Sequence, residues 1–178
     1  MKKISLIGCG RWGTFLGWYA GNYAGFEQVD MYDIPTSPNF VELRDTRKNA
    51  YLQLSDNMVL HEDIADVLQN DIIIVSIGCQ HLRALARQLN NYNLDGKTFL
   101  LAMKGLEEPG AKTLQQVFQE EIKQNIHVAV IVGPGHVQDY MKGVPSCAVI
   151  DSYEPETKDR LIKLLSSDLI RFYYGTDM

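Results

Sequence analysis

Three short stretches and one isolated acid hold the residues whose types and spacing can do chemistry. Residues 8–13 read GCGRWG, which puts Gly8, Gly10 and Gly13 at G-x-G-x-x-G spacing directly after the apolar run Lys3 to Ile7. Glycine lets the backbone turn sharply and approach a pyrophosphate, whose charge then rests on the free N–H groups of the next helix start. The same spacing also serves plain packing turns, so context has to decide. Twenty positions after Gly13 stands Asp33, at the end of a second apolar run. An acid at that distance accepts hydrogen bonds from the adenosine ribose hydroxyls and repels a 2′-phosphate, which favours NAD over NADP. The alternative for Asp33 is an ordinary turn aspartate ahead of Pro35.

The other two stretches follow later apolar runs. Lys104 opens KGLE, one residue beyond Thr98 to Ala102. A lysine in a partly desolvated crevice can polarise a carbonyl, hold a phosphate or donate a proton, the tasks that hydride reduction of a ketone leaves to the protein. Gly133 to His136 read GPGH, a glycine turn suited to an anionic group where a helix begins. His136 reads more readily as structural than as a ligand. Ahead of both lies SIGCQHLR, Ser76 to Arg83, where Gly78 leaves room beside a flat ligand and Gln80 opens a helix. Cys79 reads as a small space-filler rather than an activated thiol.

These stretches need elements to position them. Runs rich in Ile, Val and Leu predict strands at Lys3 to Ile7, Gln28 to Tyr32, Asp71 to Ser76, Thr98 to Ala102, His127 to Val132, Ser146 to Ile150 and Ile170 to Tyr174. Helical spacing predicts helices at Trp12 to Ala24, Pro38 to Asn49, His61 to Leu68, Gln80 to Leu89, Ala111 to Ile122, Val137 to Lys142 and Glu156 to Leu165. Ser37 before Pro38 offers a cap, and Ser152 before Pro155 hints at another. IIIVS and VAVIV are apolar on both faces, as in a parallel sheet covered by helices on each side. The expected fold is therefore α/β: a doubly wound, mostly parallel sheet of the Rossmann type, with residues 1–178 as one dinucleotide-binding domain. Such sheets bind ligands beyond the carboxyl ends of their strands, where the chemistry-bearing residues stand here.

Composition narrows the partners. With 17 Lys and Arg against 22 Asp and Glu, the net charge is -5, so no broad basic face is available for nucleic acid. Cys9, Cys79 and Cys147 form no CxxC pair and leave one over, which excludes a disulfide framework and fits a reducing cytoplasm. His61 and Glu62 lack a third ligand, so no metal is expected. No segment approaches the roughly 20 apolar residues of a membrane helix, and no membrane partner is expected.

On GCGRWGT (Gly8 to Thr14), QHLR (Gln80 to Arg83), KGLE (Lys104 to Glu107), GPGHVQDYMKGVPS (Gly133 to Ser146) and LLSSDLIRFYYGTD (Leu164 to Asp177), the chain resembles the N-terminal domain of NAD-dependent glycerol-3-phosphate dehydrogenase. That family reversibly reduces dihydroxyacetone phosphate to sn-glycerol 3-phosphate, feeding phospholipid synthesis. The resemblance implies a cofactor loop of Gly8, Cys9, Gly10, Arg11, Trp12 and Gly13, with Val137 also near the cofactor. It makes Lys104 a catalytic lysine touching substrate and nicotinamide, and Gly133 and Gly135 substrate contacts. The substrate partner is then a small phosphorylated ketone or alcohol.

Departures accompany the matches. Gly78 stands where the family usually has proline, GPGHV where it reads GPSFA or GPNFA, and Asp139 where it has glutamate. Asp33 and Ile34 lack the basic character of members that accept NADPH. The family's helical C-terminal domain, with its second lysine, has no counterpart in these residues, which therefore read as half an enzyme. A stand-alone NAD-binding or redox-sensing module, or a related reductase with another small anionic ketone, stays open beside the dehydrogenase reading. Apolar surface left by a missing domain would favour a homodimer.

Overall fold

The computed structural model describes residues 1–176; Asp177, the last residue of the LLSSDLIRFYYGTD match, and Met178 lie outside the described residues. The strands are β1 (Lys3–Ile7), β2 (Gln28–Tyr32), β3 (Met58–His61), β4 (Ile72–Val75), β5 (Thr98–Leu101), β6 (His127–Val132), β7 (Ser146–Asp151) and β8 (Ile170–Tyr174). The helices are α1 (Arg11–Asn22), α2 (Pro38–Thr46), α3 (Ile64–Val67), α4 (Leu82–Leu89), α5 (Leu114–Glu121), α6 (Val137–Met141) and α7 (Pro155–Leu165), with a 3-10 turn at Cys79–His81 ahead of α4.

One eight-stranded sheet runs in the order β3-β2-β1-β4-β5-β6-β7-β8. It is parallel from β3 to β6; β7 then pairs antiparallel with β6, and β8 parallel with β7. The strand order reverses between β1 and β4, opening a crevice at their carboxyl ends. The doubly wound expectation holds because the β4 residues alternate faces and are buried on both. Ile72 and Ile74 join the core layer under α1, α2, α6 and α7, while Ile73 and Val75 join the layer under α3, α4 and α5. Each such side chain contributes about 1.5–3 kcal/mol on burial.

The sequence reading is corrected at two places. Met58–His61 is a strand on the outer edge of the sheet, so His61 ends β3 instead of opening a helix, and α3 begins at Ile64. Neither serine caps a helix through its hydroxyl. Ser37 Oγ reaches Asp33 Oδ2 at 3.4 Å, and Ser152 Oγ donates to the Val128 carbonyl.

At the end of β3, His61 joins a buried polar knot. Asp30 on β2, 4% exposed, accepts hydrogen bonds from Gln28 Nε2 (2.7 Å) and Asn70 Nδ2 (2.8 Å) and meets His61 Nε2 at 2.8 Å. Burial opposes ionisation of Asp30, but these hydrogen bonds and the His61 charge outweigh it and hold the carboxyl below its ordinary range. The carboxylate therefore stabilises the fold above its unfolded pKa of about 3.9, and that stabilisation is lost as pH falls through the lower folded value. Asp30→Asn is expected to cost about 1–3 kcal/mol near neutral pH and to flatten the acid limb of stability. Thermal melts of both proteins across the acid range check this; parallel acid limbs would contradict it.

Candidate functional site

The crevice at the β1/β4 switch has a volume of about 860 Å³, within the range of cofactor sites. Gly8, Gly10, Arg11, Trp12, Gly13, Asp33, Lys104, Gly135 and Val137 all line it. Gly133 lines a narrow adjoining notch of about 20 Å³, shared with Trp12, Lys104 and Gly135. Cys9 does not line the crevice: it is 1% exposed, packed in the core layer under α1, and burial followed by the nearby Asp33 charge pushes its thiol well up. His136 is exposed and does not line the crevice.

The three loop glycines do different jobs. Gly8 has φ +106°, and a Cβ there would lie 2.2 Å from the Ser76 carbonyl oxygen. A Cβ at Gly13 would lie 2.0 Å from the Gly8 carbonyl oxygen. Both positions are fixed by packing of the loop against the end of β4 and the start of α1. Gly10 is the exception, since a Cβ there would meet nothing within 4 Å. Its open side, together with an α1 start that has no side-chain cap and no acid in its first turn, forms a cradle for an anion.

Asp33 closes one side of the loop. Its Oδ2 accepts from the Cys9 amide at 2.9 Å and its Oδ1 from the Ile34 amide at 2.8 Å. A carboxylate offers about four acceptor positions, so capacity for a ribose hydroxyl remains. Across the loop, Arg11 Nη1 donates to the Tyr51 hydroxyl at 3.3 Å and its guanidinium lies 5.5 Å from that ring's centroid. Sequence reading missed Tyr51, and also the crevice-lining Asn39, His81 and Gln88. His81, Leu85 and Gln88 recur at helical spacing after the SIG turn, which was the available signal; Tyr51 had none.

Lys104 stands on the opposite rim, exposed, with Nζ donating to the Pro134 carbonyl at 3.3 Å. The partly desolvated setting expected for it is absent, because nothing among the described residues roofs this rim. The loop beneath it is held firmly instead. Gln80 Nε2 donates to the Leu106 carbonyl at 2.9 Å, and Gln80 Oε1 accepts from the Glu108 amide at 3.0 Å. Arg83 pairs bidentately with Glu107, at 2.5 and 2.7 Å, and also reaches Glu121 and Glu120. Hydrogen bonds from Arg87 and then Arg83 hold Glu121 down at about 2. QHLR and KGLE are thus one unit, a helix start gripping the loop that bears Lys104.

Residues 3–158 match the family model for the NAD-dependent glycerol-3-phosphate dehydrogenase N-terminus. The chain belongs to that family. Among curated relatives it is 27% identical to the glycerol-3-phosphate dehydrogenase [NAD(P)+] of Fusobacterium nucleatum, covering 100% of this chain and 54% of the relative. The enzyme of the same description from Streptococcus pneumoniae is also 27% identical, with 99% and 54% covered. The chain therefore spans about half the length of these relatives. The fold matches the solved glycerol-3-phosphate dehydrogenase of Coxiella burnetii with a TM-score of 0.88 at 20% identity, over 99% of this chain and 55% of that one. That of Saccharomyces cerevisiae gives 0.80 at 22% identity, over 97% and 56%. A UDP-glucose dehydrogenase from Pyrobaculum islandicum matches at 0.66 and 16% identity, over 99% and 46%, so the architecture extends beyond the family.

Removing the Gln80 amide frees the Lys104 loop without disturbing the core. Gln80→Ala is expected to speed hydrogen exchange at the Glu108 amide about tenfold with little change in melting temperature. Unchanged exchange would mean that the Arg83–Glu107 pair alone holds the loop.

Proposed function

We propose that this chain is the nucleotide-binding half of a glycerol-3-phosphate dehydrogenase, taking NAD(H) in the β1/β4 crevice for the interconversion of dihydroxyacetone phosphate and sn-glycerol 3-phosphate. The observation that carries this reading is Gly10: it is not needed for packing, and it opens onto an uncapped helix start with Asp33 on one side. In this reading the pyrophosphate rests on the Arg11, Trp12 and Gly13 amides, and the ribose on Asp33. The nicotinamide supplies the hydride acceptor or donor. Lys104 and the Gly133–Gly135 turn hold the phosphorylated ketone at the other end, Lys104 polarising its carbonyl, with Val137 against the cofactor. Asp33 disfavours a 2′-phosphate, so NAD is the expected form.

The exposure of Lys104 favours binding without turnover by these residues alone, since reaction requires a closed and oriented site. A helical second half with its own lysine would supply that closure. Along one sheet row, Val132 pairs with Val149 and Val149 with Tyr173, and Val132 and Tyr173 are 59% and 48% exposed. This is the face that a second half, or a second copy in a homodimer, would cover. Among the described residues no helix is long and apolar enough to cross a membrane; a cytoplasmic setting remains part of the reading.

Calorimetric titration with NADH and NADPH is the test. NADH should bind at least about tenfold tighter, and Asp33→Ala should erase the difference. Gly10→Ala should block binding while leaving the melting temperature unchanged, whereas Gly8→Ala should destabilise the fold. Binding that survives Gly10→Ala would remove the cradle from the reading.

A further inference from the structure

The notch at the substrate end contains a contact that the cofactor reading leaves unused. Gly135 has φ +48°, and a Cβ there would sit 3.2–3.4 Å from three atoms of the outer ring of the Trp12 indole. Trp12 stands in the first turn of α1, inside the GCGRWG stretch, and Gly135 in the turn after β6, so the two segments meet here. The indole is held in place: it stacks on Phe15 at 5.4 Å, and Phe15 stacks at 4.9 Å on Tyr140 of α6, the helix that the turn leads into. Lys104 donates to the Pro134 carbonyl of the same turn.

We propose that Trp12 is a positioning residue through which the dinucleotide loop sets the conformation of the Gly133–His136 turn. Filling the cofactor end of the crevice then orders the substrate end. Glycine at 135 is what allows it, because a Cβ there would press on the indole's outer ring at 3.2–3.4 Å, from a left-handed backbone that side chains rarely adopt. The proposal rests on the crevice being a dinucleotide site, and it adds direction to that reading. An anion at the turn binds better once the loop is filled, and by linkage the dinucleotide binds better once the anion is there.

Two measurements on the 178-residue chain separate this from backbone strain and from failure of the cofactor reading. In a Trp18→Phe background Trp12 is the only tryptophan. There, Gly135→Ala should shift its emission and weaken NADH binding about tenfold. Gly96→Ala is the control, since Gly96 has φ +74° with nothing within 4 Å of a Cβ. It should cost some stability and change neither readout. With Trp12→Phe, which keeps a ring for Phe15 but removes the atoms facing Gly135, adding Gly135→Ala should cost less than about twofold. Dihydroxyacetone phosphate should bind several-fold tighter in the presence of NADH, and Trp12→Phe should abolish that gain. Equal losses from Gly135→Ala with and without the indole, or a gain that survives Trp12→Phe, would overturn the proposal. If the parent chain binds no NADH, the cofactor reading fails by itself, and the emission shift together with Gly135 and His136 amide shifts on Trp12→Phe still decides whether the indole sets the turn.

Discussion

The structure depends on a near-contact between backbones at the switch point. The chain leaving β1 passes so close to the end of β4 that a Cβ at Gly8 would fall 2.2 Å from the Ser76 carbonyl, and the first turn of α1 passes equally close to Gly8 itself. That approach puts the start of α1 at the mouth of the crevice, with its free N–H groups facing outward. The other site elements are placed relative to it: Asp33 reaches back to the Cys9 amide, Ser76 leads into the gripping turn, and Trp12 projects toward the turn after β6.

The site divides into a rigid frame and an open side. Packing glycines, the Asp33 bonds and the Gln80–Arg83 grip fix the floor and both rims. Arg83 is fully engaged by carboxylates, so it serves as a strut and not as a ligand for a phosphate. The open side is where Lys104 meets solvent. There its Nζ rests on the Pro134 carbonyl, at the end of a side chain otherwise open to water.

Much of this was legible in the sequence because it is local. Apolar runs on both faces, glycines after strands and acids at fixed distances follow from backbone sterics and strand burial, which neighbouring residues settle among themselves. The edge strand Met58–His61 escaped because it is four residues long and partly exposed, with a pattern too short to tell strand from helix. Pairing with β2 and the Asp30–His61 contact make it a strand, and neither leaves a mark in its own residues.

The sequence by itself determined the doubly wound fold, the place of the glycine loop and the rim on which Lys104 stands. Only the tertiary structure decided that Gly10 is open while Gly8 and Gly13 are packed, that QHLR grips KGLE, that Tyr51 holds Arg11 and that Trp12 fills the space over Gly135. Each of these joins atoms from segments well separated along the chain. Residue type and spacing state what a side chain can do, but the direction it points and what it meets are fixed only when the sheet brings those segments together.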